Sequence, residues 1–187
     1  MIKIGDAVPE LEMEIFQNEE IKKIKLSDYK GKWLVLMFYP ADFTFVCPTE
    51  LKDAALIYDK FQAADAEFIS VSTDTAFVHK AWHDESEAIK TVNYPMGADP
   101  TGKVSRAFGV YIEEEGLALR GTFVIDPDGV LKTMEVHDLG IGRSAPEALR
   151  KLEAAKFVRE YGDQVCPAGW QPGGDTLTPS IDLIGKI

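Results

Sequence analysis

Seven consecutive residues, Trp33-Leu34-Val35-Leu36-Met37-Phe38-Tyr39, are apolar or aromatic, and Pro40 ends the run. A strand turns alternate side chains to opposite faces. A segment that is apolar at every position therefore suits a central strand covered on both sides. Such a strand requires a sheet with helices on both faces, which is an α/β layer architecture. The run is far shorter than the about 20 residues that cross a bilayer. Met1 to Asp6 shows no basic stretch followed by an apolar one, so no signal peptide is expected. The expectation is a soluble, cytoplasmic protein.

The flanking sequence supports the layer reading. Alternation at Leu11-Glu12-Met13-Glu14-Ile15 predicts an N-terminal edge strand or hairpin. Leu51, Ala54, Ala55, Tyr58 and Phe61 recur at helical spacing and predict one helix from Pro48 to Ala63, with the proline tolerated in its first turn. Further elements are expected as a buried strand over Glu67 to Thr73, a helix over Thr75 to Ser86, extended chain or loop at Tyr94 to Gly97, and a short helix at Val104 to Phe108. Asp126-Pro127-Asp128-Gly129 between two apolar runs is a hairpin turn. Pro146 to Tyr161 is helical, with Ser144 as its cap. The order β-α-β-α, hairpin, α is that of a thioredoxin-like fold. Its central mixed sheet is flanked by helices, with an N-terminal hairpin extension. From Gly162 onward proline and glycine accumulate. The chain is thus read as a domain over 1–161 and an extended tail over 162–187, without a core of its own.

The formal net charge is −11 over 187 residues, with basic residues scattered among acids. Nucleic acid and anionic membranes both demand a basic face, so neither is an expected partner. There are only two cysteines, Cys47 and Cys166, 119 positions apart. A CxxC pair and a local zinc knuckle are excluded. In a reducing compartment the two are either inert buried thiols or a catalytic couple.

Cys47 follows a buried strand and opens a helix. Free N–H groups and the positive dipole end gather there and favour a thiolate, the reactive form. Lowering a thiol pKa by two units takes roughly 2.7 kcal/mol, whereas a helix terminus supplies about 0.3–1 kcal/mol. A fixed cation should supply the rest. At about 4 Å it is worth up to about 4 kcal/mol before desolvation. Arginine suits the task because it stays charged and offers several donors. Of Arg106, Arg120, Arg143, Arg150 and Arg159, Arg120 stands at the start of the strand around Thr122, where a charge is anomalous. It could instead pair with Glu113, Glu114 or Glu115 at the surface. The Thr44 hydroxyl could donate to the thiolate, hold a peroxide oxygen, or merely stabilise its loop. Pro40 has no N–H and would limit water access. His79 and His83 have the i, i+4 spacing of a metal pair, but no third ligand is evident and a packing role is favoured.

Pro40-x-x-x-Thr44-x-x-Cys47, extended by Pro48-Thr49-Glu50, resembles the peroxiredoxin signature. Val165-Cys166-Pro167-Ala168-Gly169-Trp170 is similar to the resolving-cysteine segment of typical two-cysteine peroxiredoxins. The ending Ile181-Asp182-Leu183-Ile184-Gly185-Lys186-Ile187 resembles that of the peroxidase component of bacterial alkyl hydroperoxide reductases. The resemblance covers essentially the whole chain. It implies that Cys47 reduces hydrogen peroxide and alkyl hydroperoxides and becomes a sulfenic acid. Thr44 and Arg120 would position peroxide, Pro40 would shield the pocket, and Glu50 would join the arginine network. Cys166 would resolve Cys47 of a partner subunit as a disulfide, in a homodimer that assembles into a decamer. A flavoprotein disulfide reductase or a thioredoxin-type protein would reduce that disulfide. No metal and no bound cofactor is expected. Easily overoxidised relatives carry a Gly-Gly-Leu-Gly segment and a C-terminal Tyr-Phe helix. This chain has neither, so the structure over Cys47 is expected to open readily, letting disulfide formation outrun sulfinic acid. A peroxide relay, a holdase chaperone and a thiol–disulfide oxidoreductase are the competing functions; the absence of CxxC counts against the last.

Overall fold

The computed structural model describes residues 1–186. The apolar run forms β3 (Trp33–Phe38), buried at every position. It lies between β4 (Ala66–Ser72), to which it is parallel, and β8 (Arg120–Ile125), to which it is antiparallel. The sheet extends through β5 (Met96–Ala98) to the hairpin of β1 (Glu12–Gln17) and β2 (Glu20–Lys25) on one side. On the other it ends at β9 (Leu131–His137). The seven strands run β2-β1-β5-β4-β3-β8-β9, a mixed sheet. A separate two-stranded ribbon joins β6 (Tyr111–Ile112) to β7 (Leu117–Ala118).

Strand pleating explains why the run tolerates no polar residue. Trp33, Val35, Met37 and Tyr39 face a core shared with α1 (Cys47–Ala55), α2 (Tyr58–Ala63), α3 (Ala76–Glu85) and α5 (Ala145–Glu160). Leu34, Leu36 and Phe38 face a second core containing Val104 and Phe108 of α4 (Lys103–Phe108). The expected hairpin turn is present, with Gly129 at φ +81. Thr75 and Ser144 cap α3 and α5, their hydroxyls accepting from Val78 and Glu147 N–H.

Two expectations change. The helix expected over Pro48 to Ala63 is broken at Leu56–Ile57. There the chain tightens, with Ile57 N–H donating to Ala54 O at 3.2 Å. The apolar spacing runs straight through this turn, so periodicity could not reveal it. The tail, read from the sequence as having no core of its own, is anchored at two points. Val165 and Leu177 form a β-bridge, and Trp170 is buried with its ring 5.2 Å from Phe157 of α5. No helix among the described residues is long and apolar enough to cross a membrane.

Candidate active site at Cys47

Pro40 is buried at the end of β3, and the loop 41–46 carries the chain to Cys47, the first residue of α1. The Cys47 sulfur is buried among the core residues of that face. Val46 caps the helix without a side-chain bond, and its carbonyl accepts from the Thr49 and Glu50 N–H groups at 3.0 and 3.3 Å. Arg120, also buried, reaches across from β8. Its Nη1 lies 3.3 Å from Cys47 Sγ and 2.7 Å from Glu50 Oε2, and its Nε donates to Leu139 O at 2.7 Å.

A second guanidinium completes the cluster. Arg143 donates through Nε to Glu50 Oε1 at 2.9 Å and through Nη2 to Oε2 at 3.1 Å, and its backbone N–H also binds Oε1 at 2.8 Å. Its Nη1 donates to Gly121 O at 2.7 Å, which fixes the group against β8. Burial lowers the Arg143 pKa from its usual value, opposed by the attraction of Glu50. Arginine stays charged in such settings. Two buried cations and one carboxylate leave a surplus positive charge beside the sulfur. A buried charge without a counter-ion is costly. The sulfur of Cys47 is the group placed to carry a compensating negative charge.

Thr44 departs from one expectation. Its hydroxyl donates to Ala41 O at 2.8 Å rather than to the sulfur, leaving its lone pairs free to accept. The loop is held from beneath. Tyr39 OH donates to Asp42 Oδ1 at 2.7 Å, and His79 Nδ1 lies 2.7 Å from Asp42 Oδ2. Phe43 adopts φ +54, an unfavourable conformation for its side chain that this support holds in place.

Cys166 lies in the tail, partly exposed, and both cysteines are free thiols. Its thiol donates to Ala154 O, 3.9 Å from Sγ. Burial raises its pKa, and the charge of Arg150 pulls it back down. Arg150 Nη1 donates to Trp170 O at 3.0 Å, while Nε and Nη2 fork onto Glu147.

The profile of the AhpC/TSA family matches residues 4–134. The chain belongs to the AhpC/TSA family. A second profile, the C-terminal domain of 1-Cys peroxiredoxin, matches residues 154–185. The chain is 52% identical to alkyl hydroperoxide reductase C of Bacillus subtilis (strain 168) over the whole of both proteins. Its identity to alkyl hydroperoxide reductase C of Salmonella typhimurium is 48%, again over the full length of both. Among solved structures, it resembles Enterococcus faecalis AhpC at 46% identity and a TM-score of 0.86, covering 89% of this chain and 100% of that one. Reduced Plasmodium vivax 2-Cys peroxiredoxin is 32% identical, with a TM-score of 0.91, over 96% of this chain and 94% of that one. Family and thioredoxin-like fold are therefore as the sequence motifs implied.

Within this AhpC/TSA chain, the structure brings Cys47, Glu50 and Arg120 together, and Glu113 pairs with Arg106 instead of Arg120. Sequence reading overlooked Arg143 as a member of the cluster. A faint signal lies beside it at Gly142, where a Cβ would come within 3.3 Å of Val46 Cγ1. The loop bearing Arg143 thus packs tightly on the start of α1. The metal reading of His79 and His83 fails on geometry. His79 is buried, with Asp42 on one ring nitrogen and Gly97 O at 3.0 Å on the other. His83 Nε2 instead faces Val92 O at 3.2 Å.

Proposed function

We propose that this chain is a thiol-dependent peroxidase that reduces hydrogen peroxide and alkyl hydroperoxides through Cys47. The observation that carries the reading is the buried sulfur 3.3 Å from Arg120, in a cluster whose charges balance when the sulfur is anionic. The thiolate attacks one oxygen of the O–O bond and gives up two electrons. An S–O bond forms, the O–O bond breaks, and the departing oxygen takes a proton to leave as water or an alcohol. Arg120 stabilises the charge developing on the oxygens. The free lone pairs of Thr44 accept from the peroxide O–H. Pro40 offers no N–H to water at the pocket wall, and Glu50, with Arg143, holds Arg120 in place.

Cys166 of a partner subunit then attacks the Cys47 sulfenic acid. An S–S bond forms and the hydroxyl leaves as water. Two features favour self-association. β9 is an open sheet edge with half-exposed Met134 and Val136, and Phe43, Phe45 and Phe77 are exposed aromatics. A homodimer joined through one face and closed into a decamer through the other uses both. The domain over 1–161 holds the peroxide site, and the tail over 162–187 delivers the second sulfur. A flavoprotein disulfide reductase or thioredoxin-type dithiol returns two electrons and two protons, in keeping with a cytoplasmic setting.

The test is peroxide consumption coupled to a bacterial flavoprotein reductase. Cys47→Ser is expected to abolish it. Cys166→Ser is expected to keep one oxidation per chain and lose reductase-linked turnover. Undiminished turnover by Cys47→Ser would refute the reading.

A further inference from the structure

The proposed cycle requires Cys47 to leave its pocket, so the first turn of α1 must unwind and the unwinding must stop somewhere. Glu50 ties that turn to the arginines, and Asp53 Oδ2 accepts from Ala145 N–H at 2.8 Å further along. Between them lies a bond that no charged side chain makes. Tyr94 is fully buried, and its hydroxyl donates to Leu51 O at 2.9 Å. Leu51 is one helical turn beyond Cys47. The Tyr94 ring is wedged between Phe68 and Tyr58, at centroid distances of 4.8 and 5.6 Å, so it cannot follow a moving helix. Burial pushes the phenol well above its usual range, which keeps it a donor at every working pH.

We infer that Tyr94 is a positioning residue that pins α1 at Leu51, restrains the opening of the Cys47 turn, and thereby sets the division of oxidised Cys47 between disulfide and sulfinic acid. The part concerning oxidation rests on the peroxidase reading; the pin itself does not. Here the restraint is a single neutral hydrogen bond, worth about 1 kcal/mol or about fivefold in an opening equilibrium. That is weak enough to let the turn open and strong enough to matter.

Tyr94→Phe removes the hydroxyl and keeps the ring. Tyr58→Phe is the matched control, since its hydroxyl bonds to Glu67 at 2.6 Å and touches no backbone of α1. Hydrogen–deuterium exchange of the reduced protein over residues 47–55 should quicken about fivefold in Tyr94→Phe and stay near wild type in Tyr58→Phe. Under a fixed excess of hydrogen peroxide, the sulfinic fraction of Cys47 by mass spectrometry should fall by a similar factor in Tyr94→Phe alone. Unchanged exchange over 47–55, or equal changes in both variants, overturns the pin. If exchange quickens while wild type consumes no peroxide, the pin stands and the peroxidase reading falls.

Discussion

Cys47 and Cys166 sit in opposite kinds of surroundings. Cys47 is buried and bordered by Glu50, Arg120 and Arg143, whose ties come from α1, β8 and the loop before α5. Cys166 rests partly exposed on a tail fastened by Trp170, one β-bridge and the rim residue Arg150. The contrast fits the roles proposed for the two sulfurs. A group that meets developing charge gains from donors fixed in advance, because none must reorient during reaction. A group that must travel to another sulfur gains from weak anchoring, since local opening draws on segments with few buried contacts. On the proposed reading, rigidity serves the attacking thiol and is withheld from the resolving one.

The sharpest way to break this contrast is Arg120→Ala. The Glu50–Arg143 pair remains, so the fold should persist while the sulfur loses its charged donor. Stopped-flow measurement should show peroxide attack on Cys47 slowed by about 10²–10³-fold, the usual cost of one such donor. Iodoacetamide modification of Cys47 at pH 7 should slow with it, and Cys166 should react as before. A change below tenfold would mean that Arg120 is a strut and not part of the reaction. Trp170→Ala probes the other side with a smaller effect. Loss of the ring from Phe157 should raise the rate of limited proteolysis within residues 162–177 about tenfold, as expected for an aromatic contact with its buried area. Peroxide attack on Cys47 should not change. If it does, the two regions are coupled and the division between rigid and loose fails.

How much of this contrast was legible in the sequence follows from the reach of local patterns. The central strand, the β8–β9 hairpin and the capped helices α3 and α5 were readable because pleat, turn chemistry and helical period act over a few residues. At Tyr94 to Gly97 the pattern leaves extended chain and loop open, since the strand Met96-Gly97-Ala98 is too short to show alternation. Arg120 stood out as a charge beginning an apolar strand. Arg143 did not, because it enters on a loop whose course depends on Gly142 packing against Val46. The Thr44 hydroxyl was readable as a donor but not in its direction, which the turn back to Ala41 decides. Trp170 sat in a proline- and glycine-rich segment, and composition gave no hint that it docks.

The smallest expected effect concerns the charge beside Cys166. Burial disfavours its thiolate and Arg150 favours it, with burial the larger influence. In a Cys47→Ser background, the pH profile of Cys166 alkylation should therefore lie above that of an ordinary thiol. Arg150→Gln removes the charge, so the profile should move to still higher pH and the rate at pH 8 should fall by a factor of about two to three, typical of a rim charge. The same substitution also releases the carbonyl of Trp170. A loosened tail would expose the sulfur and move the profile the other way. Salt separates the two, because at 1 M the Debye length is about 3 Å and a rim charge is screened, while burial is not. If Arg150 acts by charge, the difference between Arg150→Gln and its parent disappears in 1 M salt. A difference that survives there assigns Arg150 to fastening the tail, and Cys166 then owes its reactivity to the surroundings it meets away from α5.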